Sequence, residues 1–157
     1  AKRAWFLTTD KDEDGHPQRP SRSRCYTPWA TTLAHIEACW KAQGPFDCVL
    51  GFSQGACVAA MVAASLGCKV AIAISGFMPN DPAYQEVLRE GLMGAEGAQC
   101  LHVLGESDNF VPNEKTRALQ EAFEGWESLE FVHEGGHMVP SSKPFRDAAK
   151  EFLGRGA

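Results

Sequence analysis

The chain has no apolar run long enough to cross a bilayer. Its longest, residues 56–66, is broken by Ser65 and falls far short of the roughly 20 residues a spanning helix needs. Positive charge is also short: 15 Lys and Arg stand against 20 Asp and Glu, for a net charge of −5. With no basic stripe, the sequence argues against gripping nucleic acid or an anionic membrane. Six cysteines occur, at 25, 39, 48, 57, 68 and 100, with no C-x-x-C pair and no Cys/His ligand spacing. They read as reduced structural thiols of a cytosol-like compartment rather than disulfides or zinc ligands. The phosphate-cradling G-x-x-x-x-G-K, the dinucleotide G-x-G-x-x-G and the metal-binding H-E-x-x-H are all missing, so no cofactor and no metal is expected. The first residues, Ala1 to Trp5, carry neither a starting Met nor signal-peptide anatomy. The expectation is a fragment or processed form located in the cytoplasm, or in an organelle if a targeting segment precedes Ala1.

What is present is an ordinary globular composition, 44% hydrophobic and 22% charged over 157 residues. That length fits one domain, residues 1–157. Residues 8–28 are polar, charged and proline-containing, and read as a loop whose charges face solvent; a lid over a site is the sharper reading. From Pro28, Trp29, Leu33, Ile36 and Trp40 form one helical stripe that ends at Gly44-Pro45. Short apolar runs at 46–50, 69–74 and 100–104 suit strands buried on both faces, and 129–132 reads as a fourth strand. Between and after them lie a helix apolar nearly all round (54–66, stopped by Gly67), a weak helix (81–90), a helix capped by Asn113 and closed by Gly125, and a last one capped by Ser142. Strands alternating with helices predict an α/β fold, a parallel sheet with helices on both faces.

Between the first strand and the apolar helix stands Gly51-Phe52-Ser53-Gln54-Gly55, a G-x-S-x-G in a strand–turn–helix context. A strand that turns at once into a helix pinches its backbone, so Gly51 and Gly55 are expected to be there because they lack a Cβ, leaving Ser53 at the tip. The amides at the helix start, Gln54 above all, face an oxyanion with the positive end of the helix dipole behind them. A serine needs a base, and the base an orienter. In this topology the chain order is Ser, acid, His, each on a loop at the carboxyl end of a strand. Asp108 follows the third strand and His137 the fourth, the latter after two glycines that let its loop bend back. Glu106 and Asp81 are rival acids, and His133 is a rival base. His102 within a strand, His35 off its helix's stripe and His16 in the polar loop read as structural or surface residues. Phe52, Phe77, Met78, Phe110, Met138 and Val139 lie beside these loops; they could line an acyl site or simply pack the core.

The segments GPFDCVLGFSQGA, AIAISGFMP, LHVLGESDNFVP and GGHMVP resemble the FSH serine hydrolases, a branch of the α/β-hydrolases, over nearly the whole chain from about Arg3. GFSQG alone is shared with acyl-protein thioesterases and carboxylesterases; the Ser-Gly-Phe and the Gly-Gly-His-x-Val-Pro segments favour the FSH branch. The resemblance implies an α/β-hydrolase fold and an esterase or thioesterase. It implies Ser53 as nucleophile, Asp108 as acid and His137 as base, with the Gln54 amide among the oxyanion donors. Family members begin with a strand ending in a His-Gly turn, whose loop gives a second oxyanion amide, and then another strand; neither is found here. The expected consequence is an N-terminally truncated fold with an unpaired edge at 46–50. An upstream segment, a partner chain completing the sheet, and a degenerate relative without activity are the three accounts of it, the first preferred. The function expected is hydrolysis of a small acyl ester or thioester through a Ser-His-Asp triad; the alternative is a non-catalytic subunit or scaffold.

Overall fold

The structure, a computed structural model, describes residues 4–155. Four strands form one parallel sheet in the order β1 (Val49–Phe52), β2 (Val70–Ile74), β3 (Gln99–Gly105), β4 (Glu127–His133). The helices are α1 (Trp29–Gln43), α2 (Gln54–Leu66), α3 (Pro82–Leu92), α4 (Asn113–Glu121) and α5 (Lys143–Gly154). Because each strand lies beside its predecessor, crossovers of one hand must set α2, α3 and α4 on the same face. The larger core cluster shows this: α2 contributes its buried stretch from Ala56 to Ala63, α3 Tyr84, Leu88 and Leu92, and α4 Leu119, with Trp29 of α1 beside them. Among the described residues the opposite face is covered by α5, through Phe145 and Phe152 against Ile72, Ile74, Leu101 and Val103.

That asymmetry corrects one expectation. The first strand stands at the sheet edge, as the unpaired edge expected at 46–50 requires, but it is not buried on both faces; β4 forms the other edge. Leu50, which points to the α5 face beyond the reach of α5, is 62% exposed. Among the described residues β1 pairs only with β2. The first strand also starts later than expected, at Val49 rather than Phe46, and runs on to Phe52, so it delivers the chain directly into Ser53. β4 alternates half-buried with exposed residues, and Glu127 and Glu130 blunt its outer side. Smaller shifts occur at α4, whose N-cap is Pro112 with Asn113 already helical, and whose helix ends at Glu121 before a turn to Gly125. Ser142 caps α5 as expected, its Oγ accepting from the Phe145 N–H at 3.4 Å. All six cysteines are free thiols; Cys25 and Cys39 are exposed.

Residues 8–28 contain no helix or strand longer than a single bridge, yet they are not merely a solvated loop. Thr8 bridges Tyr26, Lys11 bridges Pro17, and Ser21, Ser23 and Tyr26 are buried. Phe6, Tyr26 and Tyr84 form a three-ring cluster with centroid separations of 4.6, 5.2 and 5.0 Å. The Asp10 carboxylate accepts from Ser23 Oγ and from the Arg24 N–H. These anchors hold the segment so that Arg19, Pro20 and Ser21 lie beside Ser53 at the carboxyl end of β1.

Candidate active site

The site is built at the step from β1 to α2. Ser53 sits at φ 56° and ψ −120°, a left-handed value that a serine adopts at a cost of order 1–3 kcal/mol. The surroundings over-determine it: the Ser53 N–H donates to the Ile74 carbonyl at 2.9 Å, while its own carbonyl accepts from the N–H of Ala56 and of Cys57. Gly51 is required sterically, since a Cβ there would fall 1.9 Å from the Gly55 carbonyl oxygen. Gly55 is not, contrary to the sequence expectation. A Cβ on it would meet only the Trp5 indole nitrogen, at 3.7 Å, because it points away from the pinched side of the turn.

Three loops at the same edge of the sheet bring the remaining groups together. His137 Nε2 lies 2.9 Å from Ser53 Oγ, and His137 Nδ1 lies 2.8 Å from Asp108 Oδ2. A carboxylate can only accept, so Nδ1 carries the proton and Nε2 of the neutral ring offers its lone pair to the Ser53 hydroxyl. Asp108 is buried, and its Oδ1 accepts from the N–H groups of Phe110 and Val111, each at 2.9 Å. Burial pushes its carboxyl pKa up. The Val111 amide, His137, the Phe110 amide and the Ser75 hydroxyl together outweigh that and hold it below the ordinary carboxylate value. The imidazole is flanked by two rings, Phe52 at 4.7 Å and Phe110 at 5.5 Å between centroids.

The His137 loop reaches Ser53 because of an unexpected glycine. A Cβ on Gly105, at the end of β3, would lie 2.5 Å from the carbonyl oxygens of both Gly135 and Gly136. Those two glycines have no positive φ; they serve by close packing, Gly135 against the His133 ring and Met138, and Gly136 against the Ser107 carbonyl.

The rivals fall elsewhere. Glu106 is exposed, and Asp81 caps α3, accepting from the Ala83 and Tyr26 N–H groups at 3.0 Å each. His133 packs locally, its Nδ1 accepting from the Gly135 N–H at 3.2 Å. His102 is fully buried against the Phe123 ring, and burial lowers its pKa to about 4, which keeps it neutral. His35 and His16 are exposed. An exposed cluster of Asp12, Asp14 and His16 in the polar segment has ligand-like spacing.

Beside the Ser53 hydroxyl is a pocket of about 210 Å³ lined by Arg19, Pro20, Ser21, Gln54, Phe77, Phe110, Val111 and His137. Of the lining residues expected, Phe77 and Phe110 are there. Met78 faces a different depression with Met93 and Ala122, because the chain turns between Phe77 and Met78 and sends the methionine under α4. Met138, 49% exposed, lines a groove between β4 and the approach to α5, and Val139 is exposed too. Phe52 flanks the imidazole rather than the pocket. Gln54 contributes in two ways. Its N–H is in the first turn of α2, where helical amides have no intrahelical acceptor. Its side chain ties the N-terminal segment down, accepting from the Trp5 N–H at 3.0 Å and donating to the Phe6 carbonyl at 2.9 Å. Arg19, Pro20, Ser21 and Val111 were not foreseen; the only sequence signal for the first three was the presence of Tyr26 in an otherwise polar stretch.

A family model described as Serine hydrolase (FSH1) matches residues 1–149. Esterase OVCA2 of Bos taurus is 36% identical over 158 residues, covering 95% of this chain and 66% of that protein. Esterase CG5412 of Drosophila melanogaster is 28% identical over 167 residues, covering 97% of this chain and 57% of that one. The chain thus spans less than two thirds of the length of these curated relatives. Among solved structures, Zea mays acyl-protein thioesterase 2 superposes with a TM-score of 0.68 at 19% identity, covering 98% of this chain and 72% of that one. A carboxylesterase from Mesorhizobium loti gives 0.64 at 18% identity, covering 96% and 68%. At such identities the structural likeness is one of fold, the α/β-hydrolase fold.

Proposed function

The chain belongs to the FSH1 serine hydrolase family, and from that premise we propose that it cleaves acyl esters or thioesters through an acyl-enzyme on Ser53. The observation that carries the reading is the continuous chain of short contacts from Ser53 Oγ through His137 to Asp108, at 2.9 and 2.8 Å. Ser53 Oγ attacks the carbonyl carbon as its proton passes to His137 Nε2. The oxygen that gains charge is met by the Gln54 N–H at the positive end of α2. Asp108 holds the ring in the tautomer that accepts at Nε2 and stabilises the imidazolium once it forms. Collapse of the tetrahedral adduct breaks the bond to the alcohol or thiol, which leaves with the proton from Nε2. Water, deprotonated by the same nitrogen, then attacks the acyl-serine, releases the carboxylic acid and returns the proton to Ser53.

The test is covalent. The protein should take up a fluorophosphonate probe and turn over p-nitrophenyl esters, and Ser53→Ala should lose about 10⁶-fold in turnover and all of the label. A folded parent that takes no label, indistinguishable from Ser53→Ala, would refute the assignment.

A second reading, a non-catalytic subunit or scaffold, draws on the open edge of β1 and the exposed Leu50 beside it. In either reading the free edge is a place for a further strand, from an upstream segment or from a partner chain. Monomers with measurable ester turnover would eliminate the scaffold reading.

A further inference from the structure

The segment that crosses the site is fastened most firmly where it passes Ser53. The Pro20 carbonyl accepts from the Tyr26 hydroxyl at 2.6 Å, and the Ser21 carbonyl accepts from Asn80 Nδ2 at 3.3 Å and from Lys115 Nζ. The Arg19 carbonyl accepts from the N–H groups of Arg22 and Ser23, at 2.8 and 2.9 Å. With the Gln18 N–H donating to the Asp10 carbonyl at 3.0 Å, the backbone that carries Arg19 is fixed on both sides, although the residue itself is exposed.

The guanidinium carbon of Arg19 lies 5.6 Å from the centre of the Phe110 ring, which is itself 5.5 Å from the centre of the His137 imidazole. Stacking on a ring directs a guanidinium without neutralising it. Among the described residues no carboxylate lies within 4 Å of it as an ion-pair partner. Of the acidic residues earlier in the same segment, Asp10 is engaged by Ser23 and the Arg24 N–H, and Asp12 by the N–H groups of Asp14 and His16. Asp108 is turned inward to His137 and two amides. The rest of the pocket wall, Pro20, Ser21, Gln54, Phe77, Phe110 and Val111, has no charge.

Resting on the serine hydrolase reading, we propose that Arg19 is a specificity-determining residue. In this proposal the preferred substrate is a compact ester or thioester that carries a second, anionic group, and Arg19 binds that group while Ser53 faces the scissile carbonyl. A pocket of about 210 Å³ is smaller than the ~300–1,000 Å³ typical of small-molecule sites, which favours a short acyl portion. A planar cation with paired donors matches a carboxylate or a phosphate oxygen pair. The anion can sit on the acyl side or on the leaving-group side, and the test separates the two.

The experiment compares matched esters in the parent, Arg19→Gln and Arg19→Lys. On the acyl side the pair is p-nitrophenyl butyrate and mono-p-nitrophenyl glutarate. On the leaving-group side it is phenyl acetate and 4-acetoxybenzoate. For at least one pair the parent should favour the anionic member, and Arg19→Gln should lower kcat/KM for that member about tenfold or more, the size of a lost charge-assisted hydrogen bond. The neutral member should lose much less, so that the ratio between the two members falls about tenfold. Arg19→Lys should keep part of the preference, and added salt should erode it in the parent. The proposal is overturned if Arg19→Gln changes both members of each pair equally, or neither, while the neutral esters are still hydrolysed. If no ester is turned over and the fluorophosphonate does not label Ser53, the hydrolase reading itself fails and takes this one with it.

Discussion

Replacing Asp108 by Asn should cost this protein about 10⁴-fold in kcat/KM while leaving it folded. The Asp108 Oδ1 atom accepts from two backbone N–H groups, of Phe110 and Val111, at 2.9 Å each. An Asn at that position must place its carbonyl oxygen there, because its NH₂ has nothing to accept those donors. The NH₂ is then turned to His137 Nδ1, where Oδ2 now stands at 2.8 Å. A donor facing Nδ1 selects the tautomer with its proton on Nε2, and Nε2 then presents a proton to Ser53 instead of a lone pair. The serine loses its base, although every heavy atom stays near its place. Loss of the correct tautomer in a Ser-His-Asp site costs on the order of 10⁴, or about 5.5 kcal/mol of transition-state stabilisation. The assay is kcat/KM on a p-nitrophenyl ester alongside the rate of fluorophosphonate labelling, with a thermal melt to establish folding. A folded Asp108→Asn within tenfold of the parent would refute the reasoning, most sharply if Glu106→Gln were the variant that lost activity. The same substitution has a signature in stability. The Asp108 carboxyl is held below its ordinary value, so its ionised form contributes stability above the unfolded pKa near ~4, and that share is lost as pH falls through the folded value. Asp108→Asn should therefore flatten the acid end of the stability profile.

Gly51→Ala should destabilise by ~3 kcal/mol or more, since the new Cβ has backbone only 1.9 Å away, whereas Gly55→Ala in the first turn of α2 should be neutral or slightly stabilising in the same melts. Gly105→Ala should push the Gly135–Gly136 backbone off the sheet end and lower kcat far more than it lowers Tm. His102 is buried and neutral with a pKa of about 4, so protonation of the unfolded chain near 6.5 should remove about 2 kcal/mol of stability between neutral pH and pH 5. His102→Leu should abolish that part of the pH dependence, as read from denaturant midpoints at the two pH values. If the open edge drives association, light scattering should show the parent associating and Leu50→Lys monomeric, without a change in ester turnover.

The sequence by itself determined the order of elements and singled out Ser53, Asp108 and His137, the three side chains that the structure brings together. Hydrophobic runs bounded by glycine and proline are local, and so is the G-x-S-x-G turn at Ser53. Chain order then placed Asp108 and His137 on successive loops of one sheet edge, where parallel connections oblige them to meet. What only the tertiary structure decided are the matters that depend on non-local distance. The unpaired edge at 46–50 follows from the family resemblance, but the exposure of Leu50 depends on how far α5 reaches across the sheet, which composition does not carry. Gly51 and Gly55 look equivalent in sequence, yet only one of them faces backbone. Gly105 carries no motif, but its missing Cβ is what admits the His137 loop. Met78 and Met138 sit beside active-site residues in the chain and leave the site because each successive residue of a turn points a different way. The polar segment around Arg19 showed no periodicity, and its place over Ser53 is set by side chains of Tyr26, Asn80 and Lys115, which the fold gathers from three separate regions of the chain.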